Sequence, residues 1–230
     1  MVIGFQWIIF IGIALVSWLV QMNLQNKFKK YSKIPTGNGM TGRDVALKML
    51  HDNGIYDVQV THTPGRLTDH YNPTNKTVNL SEGVYESNSI VAAAVAAHEC
   101  GHAVQHATAY GPLTLRTALV PTVQIASNWM QWVLLAGILL IEVFPTILLI
   151  GIILFALTTL FSFVTLPVEI DASQRACRWL CAARITSPQD QPKAEAALRA
   201  AAYTYVVAAL GSLATLLYYV MIFLGSSNDD

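Results

Sequence analysis

The stretch TILLIGIILFALTTLFSFVTL, residues 146–166, carries no charged side chain and ends against Pro167. As a helix it would cover about 31 Å, the thickness of a hydrocarbon core. Other apolar blocks stand around it, at residues 2–20, 130–141 and 203–224. Residues 130–141 and 146–166 flank Glu142-Val-Phe-Pro145 and predict a helical hairpin, because the apolar region 119–166 is more than twice the length one crossing needs. The first block has no basic residue before it and no small-x-small cleavage pattern after it. It therefore fits a retained span better than a cleaved signal peptide. The pattern predicts a mainly α membrane protein with four transmembrane helices.

The basic residues orient those helices. All 14 fall in two segments, nine between Lys27 and Arg116 and five between Arg175 and Arg199. The positive-inside rule assigns both segments to the cytoplasm and both termini to the other side. The predicted organisation is a first transmembrane helix (1–24), a cytoplasmic α+β segment (25–118), a transmembrane hairpin (119–166), a cytoplasmic helical segment (167–202), and a fourth span with an outward-facing tail (203–230). Hydrophobic residues make up 53% of the chain and charged residues 12%, about half the share of a soluble domain. With 14 basic residues against 14 acidic ones there is no cation excess to neutralise phosphates, which excludes a nucleic-acid partner. Cys177 and Cys181 stand one helical turn apart, a spacing of packed helix positions rather than of a disulfide.

Within the first cytoplasmic segment, residues 34–40 form a Pro/Gly loop, and Thr41-Gly-Arg-Asp44 predicts a capping box. The helix it opens carries Val45, Ala46, Met49 and Leu50 on one face and stops near Gly54. Residues 58–61 and 77–80 alternate as half-buried strands do, and Asp69-His-Tyr-Asn-Pro73 between them has turn composition. Thr77, Val78, Asn79 and Leu80 directly precede the next helix. As an edge strand they could pair with an extended peptide.

Ser87-Asn-Ser89 caps a helix running from about Ile90 to Ala107, and in it stand His98-Glu-Cys-Gly-His102. Positions i and i+4 share a helix face, so both imidazoles can converge on one metal ion. Glu99 is angled away from the pair and can serve a metal-activated water as general base. A third ligand is required. Position 108, where short zincin variants carry a third histidine, is threonine, and His106 cannot easily wrap the same ion from a third turn. Glu169 is the better candidate, because the predicted topology returns it to the side that holds His98 and His102. It precedes a helix expected over residues 171–183, and Asp171 is a candidate to orient a ligand imidazole. His70, Tyr71, His106, Arg175 and Tyr203 are the candidate donors to a developing oxyanion.

HECGHAVQ at 98–105, preceded by DHYNP at 69–73 and followed by LPVEIDAS at 166–173, resembles the YugP-type neutral zinc metallopeptidases of bacterial membranes, over nearly the whole chain. It is more distantly similar to the HtpX-like group. That resemblance implies a small zincin-like α+β catalytic unit, a gluzincin-type peptidase with Glu169 in the ligand position, and one Zn2+ per chain. It also implies a multi-pass protein of the bacterial inner membrane with its site on the cytoplasmic side. The expected function is hydrolysis of peptide bonds in a peptide or membrane-protein substrate at the bilayer surface. A membrane scaffold partner or a homo-oligomer is an open expectation. The alternative is a non-hydrolytic scaffold or partner subunit with a structural zinc; an intact Glu99 has no duty in such a site. Cys100 is expected to be a buried, inert thiol.

Overall fold

A computed structural model describes residues 2–226, so the end of the expected outward-facing tail, residues 227–230, lies outside the described residues. The chain is mostly helical, with one small sheet: α1 (Val2–Tyr31), α2 (Gly42–Asp52), β1 (Gln59–Thr63), β2 (His70–Asn72), β3 (Thr77–Ser81), α3 (Glu82–Tyr85), α4 (Ile90–Ala107), α5 (Gly111–Leu139), α6 (Pro145–Ala182) and α7 (Gln191–Ser226). It divides into two compact units. Of the described residues, one holds 2–18, 115–166 and 205–226, and the other holds 19–114 and 167–204.

In the first unit the packing depends on missing side chains. A Cβ on Gly137 of α5 would lie 2.5 Å from the Cα of Leu148 in α6, and one on Gly151 would lie 2.8 Å from the side chain of Leu134. The two glycines let the hairpin helices approach closely, as small residues do between helices in lipid. Leu134, Leu148 and Ile152 form the buried centre of this contact. Thr159 of α6 and Ser212 of α7 share a hydrogen bond of 2.7 Å.

Four spans were expected. Among the described residues two helices are long and apolar enough to cross a bilayer, α6 and α7. α5 has the length but is diluted by Gln124, Ser127, Asn128 and Gln131, and in the first block the side chains of residues 2–6, 8 and 9 lie outside the described ones. A second expectation also fails. Pro167 does not end a span ahead of a new helix at 171; α6 runs unbroken through it. Proline removes one backbone donor from the ladder. That loss is local, and Val168, Ala172, Ala176 and Leu180 form a fully buried i, i+4 stripe that anchors the continuation.

The second unit has its own core. Thr41 and Asp44 make the predicted capping box, each side chain accepting from the other's backbone N–H, which is worth about 1 kcal/mol to α2. Val45, Ala46, Met49 and Leu50 are all buried, and they pack on α4. The first half of α4, Ile90 to Ala97, is buried on every side, as a helix apolar all round must be. Ser89 caps it through Ala92 N–H. The Pro/Gly loop is not a loose linker: Ile34 C=O accepts from Ile90 N–H at 2.9 Å, and Thr36 N–H donates to Asn88 C=O at 2.8 Å. One of the orphan donors at the start of α4 is thereby satisfied.

The sheet order is β1-β3-β2, with β1 parallel and β2 antiparallel to β3. Two readings are corrected by it. Residues 70–72, of turn composition, are a strand, because Tyr71 pairs opposite Val78 and tertiary pairing overrides a weak local preference. β3 (with Thr77, Val78, Asn79 and Leu80) is the central strand, so its backbone is occupied on both sides and offers no edge to a peptide.

Candidate metal centre

α4 presents His98 and His102 one turn apart, and α6 brings Glu169 against them. The Glu169 carboxylate oxygen Oε2 lies 3.3 Å from His98 Nε2 and 3.6 Å from His102 Nε2. The three ligand atoms all fall within 4.8 Å of one another. A tetrahedral zinc with ligands at about 2.05 Å separates them by about 3.4 Å, so the donor set fits such an ion in chemistry and in spacing. Glu169 and His102 are 3% and 8% exposed. Burial pulls the His102 imidazole toward neutrality, but its hydrogen bond to Glu169 and the charges of Glu99 and Glu169 outweigh that and hold its pKa above the usual histidine value.

The close approach of α4 and α6 has a cause in the sequence. A Cβ on Gly101 would sit 2.7 Å from the carbonyl oxygen and 3.1 Å from the Cα of Ala172. Backbone, unlike a side-chain tip, cannot rotate away. Glycine at 101 is thus what lets Glu169, three residues before Ala172, reach the two histidines.

A buried network then sets how the imidazoles are turned. Gln105 Nε2 donates to Val168 C=O and to Asp171 Oδ2, both at 2.8 Å. Both partners only accept, so the amide orientation is determined and Gln105 Oε1 faces His102 Nδ1 at 3.0 Å. His102 must carry its proton on Nδ1, which leaves the Nε2 lone pair for a metal. Ser173 Oγ stands 3.1 Å from His98 Nδ1, and as a hydroxyl it can accept there, which leaves the other ring's Nε2 open to a metal as well. Asp171 was expected to orient an imidazole itself. It acts through Gln105 instead, and Arg175 Nε holds its carboxylate at the same oxygen. Gln105 and Ser173 were not singled out in the sequence, although they sit at i+3 from His102 and i+4 from Glu169, where a helix places a neighbour.

Glu99 is 8% exposed and stands outside the ligand set. Its Oε2 accepts from the backbone N–H of Tyr71 at 3.1 Å, so β2 fixes the carboxylate. The Tyr71 hydroxyl in turn lies 2.8 Å from His106 Nδ1, one turn beyond His102. Of the other oxyanion candidates, His70 is exposed and its Nδ1 lies 2.8 Å from Thr68 C=O. Arg175 is bound to Asp171, with its guanidinium 5.6 Å from the centre of the Tyr110 ring. Tyr203 is 49% exposed on α7. Cys100 turns to the opposite side of α4, where Sγ donates to Ala46 C=O at 3.5 Å. Complete burial pushes its thiol well above the usual range.

A model of the family described as "Putative neutral zinc metallopeptidase" matches residues 6–224. The chain is 42% identical over 224 residues to the "Putative membrane protease YugP" of Bacillus subtilis (strain 168), covering 96% of this chain and 99% of that protein. No solved structure matches.

Proposed function

Because the chain belongs to this family of neutral zinc metallopeptidases, we propose that it is a membrane-embedded, gluzincin-type endopeptidase that hydrolyses peptide bonds at the cytoplasmic surface of the bilayer. The observation that carries the proposal is the pairing of His98, His102 and Glu169 at tetrahedral spacing with a buried carboxylate, Glu99, that is held beside them without joining them. A bound zinc supplies Lewis acidity toward the scissile carbonyl and lowers the pKa of water toward about 7. Glu99 takes one proton from that water as its oxygen adds to the carbonyl carbon. It delivers the proton to the amine as the C–N bond breaks, so one amide and one water yield a carboxylic acid and an amine. Tyr71 N–H keeps Glu99 aimed through both transfers. The Tyr71 hydroxyl, steadied by His106, is the oxyanion donor we favour among the five candidates, since its residue already bonds Glu99. The free edge of the sheet beside this helix is β2, and an extended substrate runs along it.

The membrane arrangement proposed with it rests on chain continuity. In it residues 146–166 of α6 span the bilayer and continue into the helical turns that carry Glu169. The chain then has to return from Thr114 to Pro145, and α5 is the segment proposed to cross. The distribution of basic residues supports a site on the cytoplasmic side.

Glu99→Gln keeps the shape of the side chain and abolishes the base. The variant should retain about one zinc per chain and lose peptide cleavage by roughly 10²–10⁴-fold relative to wild type. Undiminished cleavage by the variant would overturn the assignment of Glu99, and absence of zinc from wild type would overturn the metal site.

A further inference from the structure

Three amides stand on one face of α5: Gln124, Asn128 and Gln131, at i, i+4 and i+7. At about 100° per residue they occupy a narrow stripe about 10 Å long. All three are exposed, and none makes a hydrogen bond within the described residues. The buried Ala126 and Gly137, which face the rest of the unit, lie on the opposite side of the helix. Around the stripe the helix is apolar and outward, with Ile125 65%, Trp132 66% and Leu135 50% exposed. On the proposed crossing this surface sits among lipid chains, where an unpaired amide is strongly unfavourable.

We infer that this stripe is an interface and that its occupant is α5 of a second copy of the same chain. The inference rests on the proposed crossing of the bilayer by α5. Two copies inserted with the same sidedness can be related only by a two-fold axis along the membrane normal. Their α5 helices then run parallel, and each residue on the seam meets its own counterpart. Only a group that is both donor and acceptor can pair with itself in that way. A carboxamide is such a group, whereas lysine or aspartate rows would repel. Gln124, Asn128 and Gln131 each form a reciprocal amide pair, as polar seam residues do in parallel helix dimers.

The test uses the full chain in its membrane, in a Cys177→Ser/Cys181→Ser background that leaves the buried Cys100. Single cysteines are placed at Gln124, Asn128 and Gln131, with Trp129→Cys on another face of α5 as control. Under mild oxidation the stripe positions should give a disulfide-linked dimer at least tenfold above the control. Before oxidation they should resist a membrane-impermeant maleimide. Positions that stay monomeric yet resist the maleimide would overturn the dimer while leaving α5 in the bilayer. Positions that label readily from water would overturn the crossing of α5 and the interface with it. Separately, Gln124→Leu/Asn128→Leu/Gln131→Leu should weaken dimerisation in detergent by about tenfold or more with its zinc content intact. An unchanged dimer in that variant would also overturn the inference.

Discussion

The polar side chains on α4 and α6 and those on α5 are equally out of place in an apolar chain, yet they are treated in opposite ways. Around Glu169 each one has its partner inside the same unit: Gln105 joins His102 to Asp171 and Val168, Ser173 meets His98, and Tyr71 N–H meets Glu99. Along α5 the three amides have no partner within the described residues. Buried polar networks are stable only when satisfied. The first set is therefore satisfied within its own unit, and the second is the face proposed to meet a second copy.

The largest expected effect breaks the first set at its ligand. Glu169→Ala should lose zinc during purification and leave no measurable cleavage, because two imidazoles remain from three protein ligands. Metal analysis of the purified variant checks it, and full zinc content would assign the third ligand elsewhere. Gly101→Ala acts at one remove. The new methyl meets the Ala172 backbone at 2.7 Å and must push α6 away from α4. A cost of about 1–3 kcal/mol in stability is expected, read by denaturant unfolding, together with weaker zinc retention. Gln105→Leu keeps the volume but frees the His102 ring, and metal affinity should fall about 10–100-fold in competition with a chelator. The smallest effect concerns the thiols. Cys181 is exposed and should alkylate promptly in the native protein, while Cys100, buried and with its thiol pKa raised, should react only on unfolding. Mass spectrometry after timed labelling distinguishes them.

Much of this was legible in the chain because it is local. The Thr41 capping box, the Ser89 cap and the i, i+4 face of His98 and His102 depend on neighbours within four residues. Glu169 could be proposed from topology, since apolar blocks and basic residues divide the chain into sides. What could not be read depends on residues far apart. The bond from Gln105 to Asp171 joins positions 66 residues apart, and no local pattern announces it. The central place of β3 is set by pairing on both flanks, whereas its sequence alternates as an edge strand's would. Pro167 misled because proline usually ends a helix, and here the buried stripe from Val168 to Leu180 outweighs one lost hydrogen bond. The hairpin region was read by its summed apolar length, which hid the amide stripe that keeps α5 from passing as a span on composition alone.

The central claim is that two histidines and one glutamate hold the ion, with Cys100 excluded. X-ray absorption at the zinc edge of the purified protein tests it directly. About one zinc per chain is expected, with only nitrogen and oxygen neighbours at about 2.0–2.2 Å and imidazole scattering from two rings. A sulfur neighbour at about 2.3 Å, or a protein that binds no zinc, would contradict it.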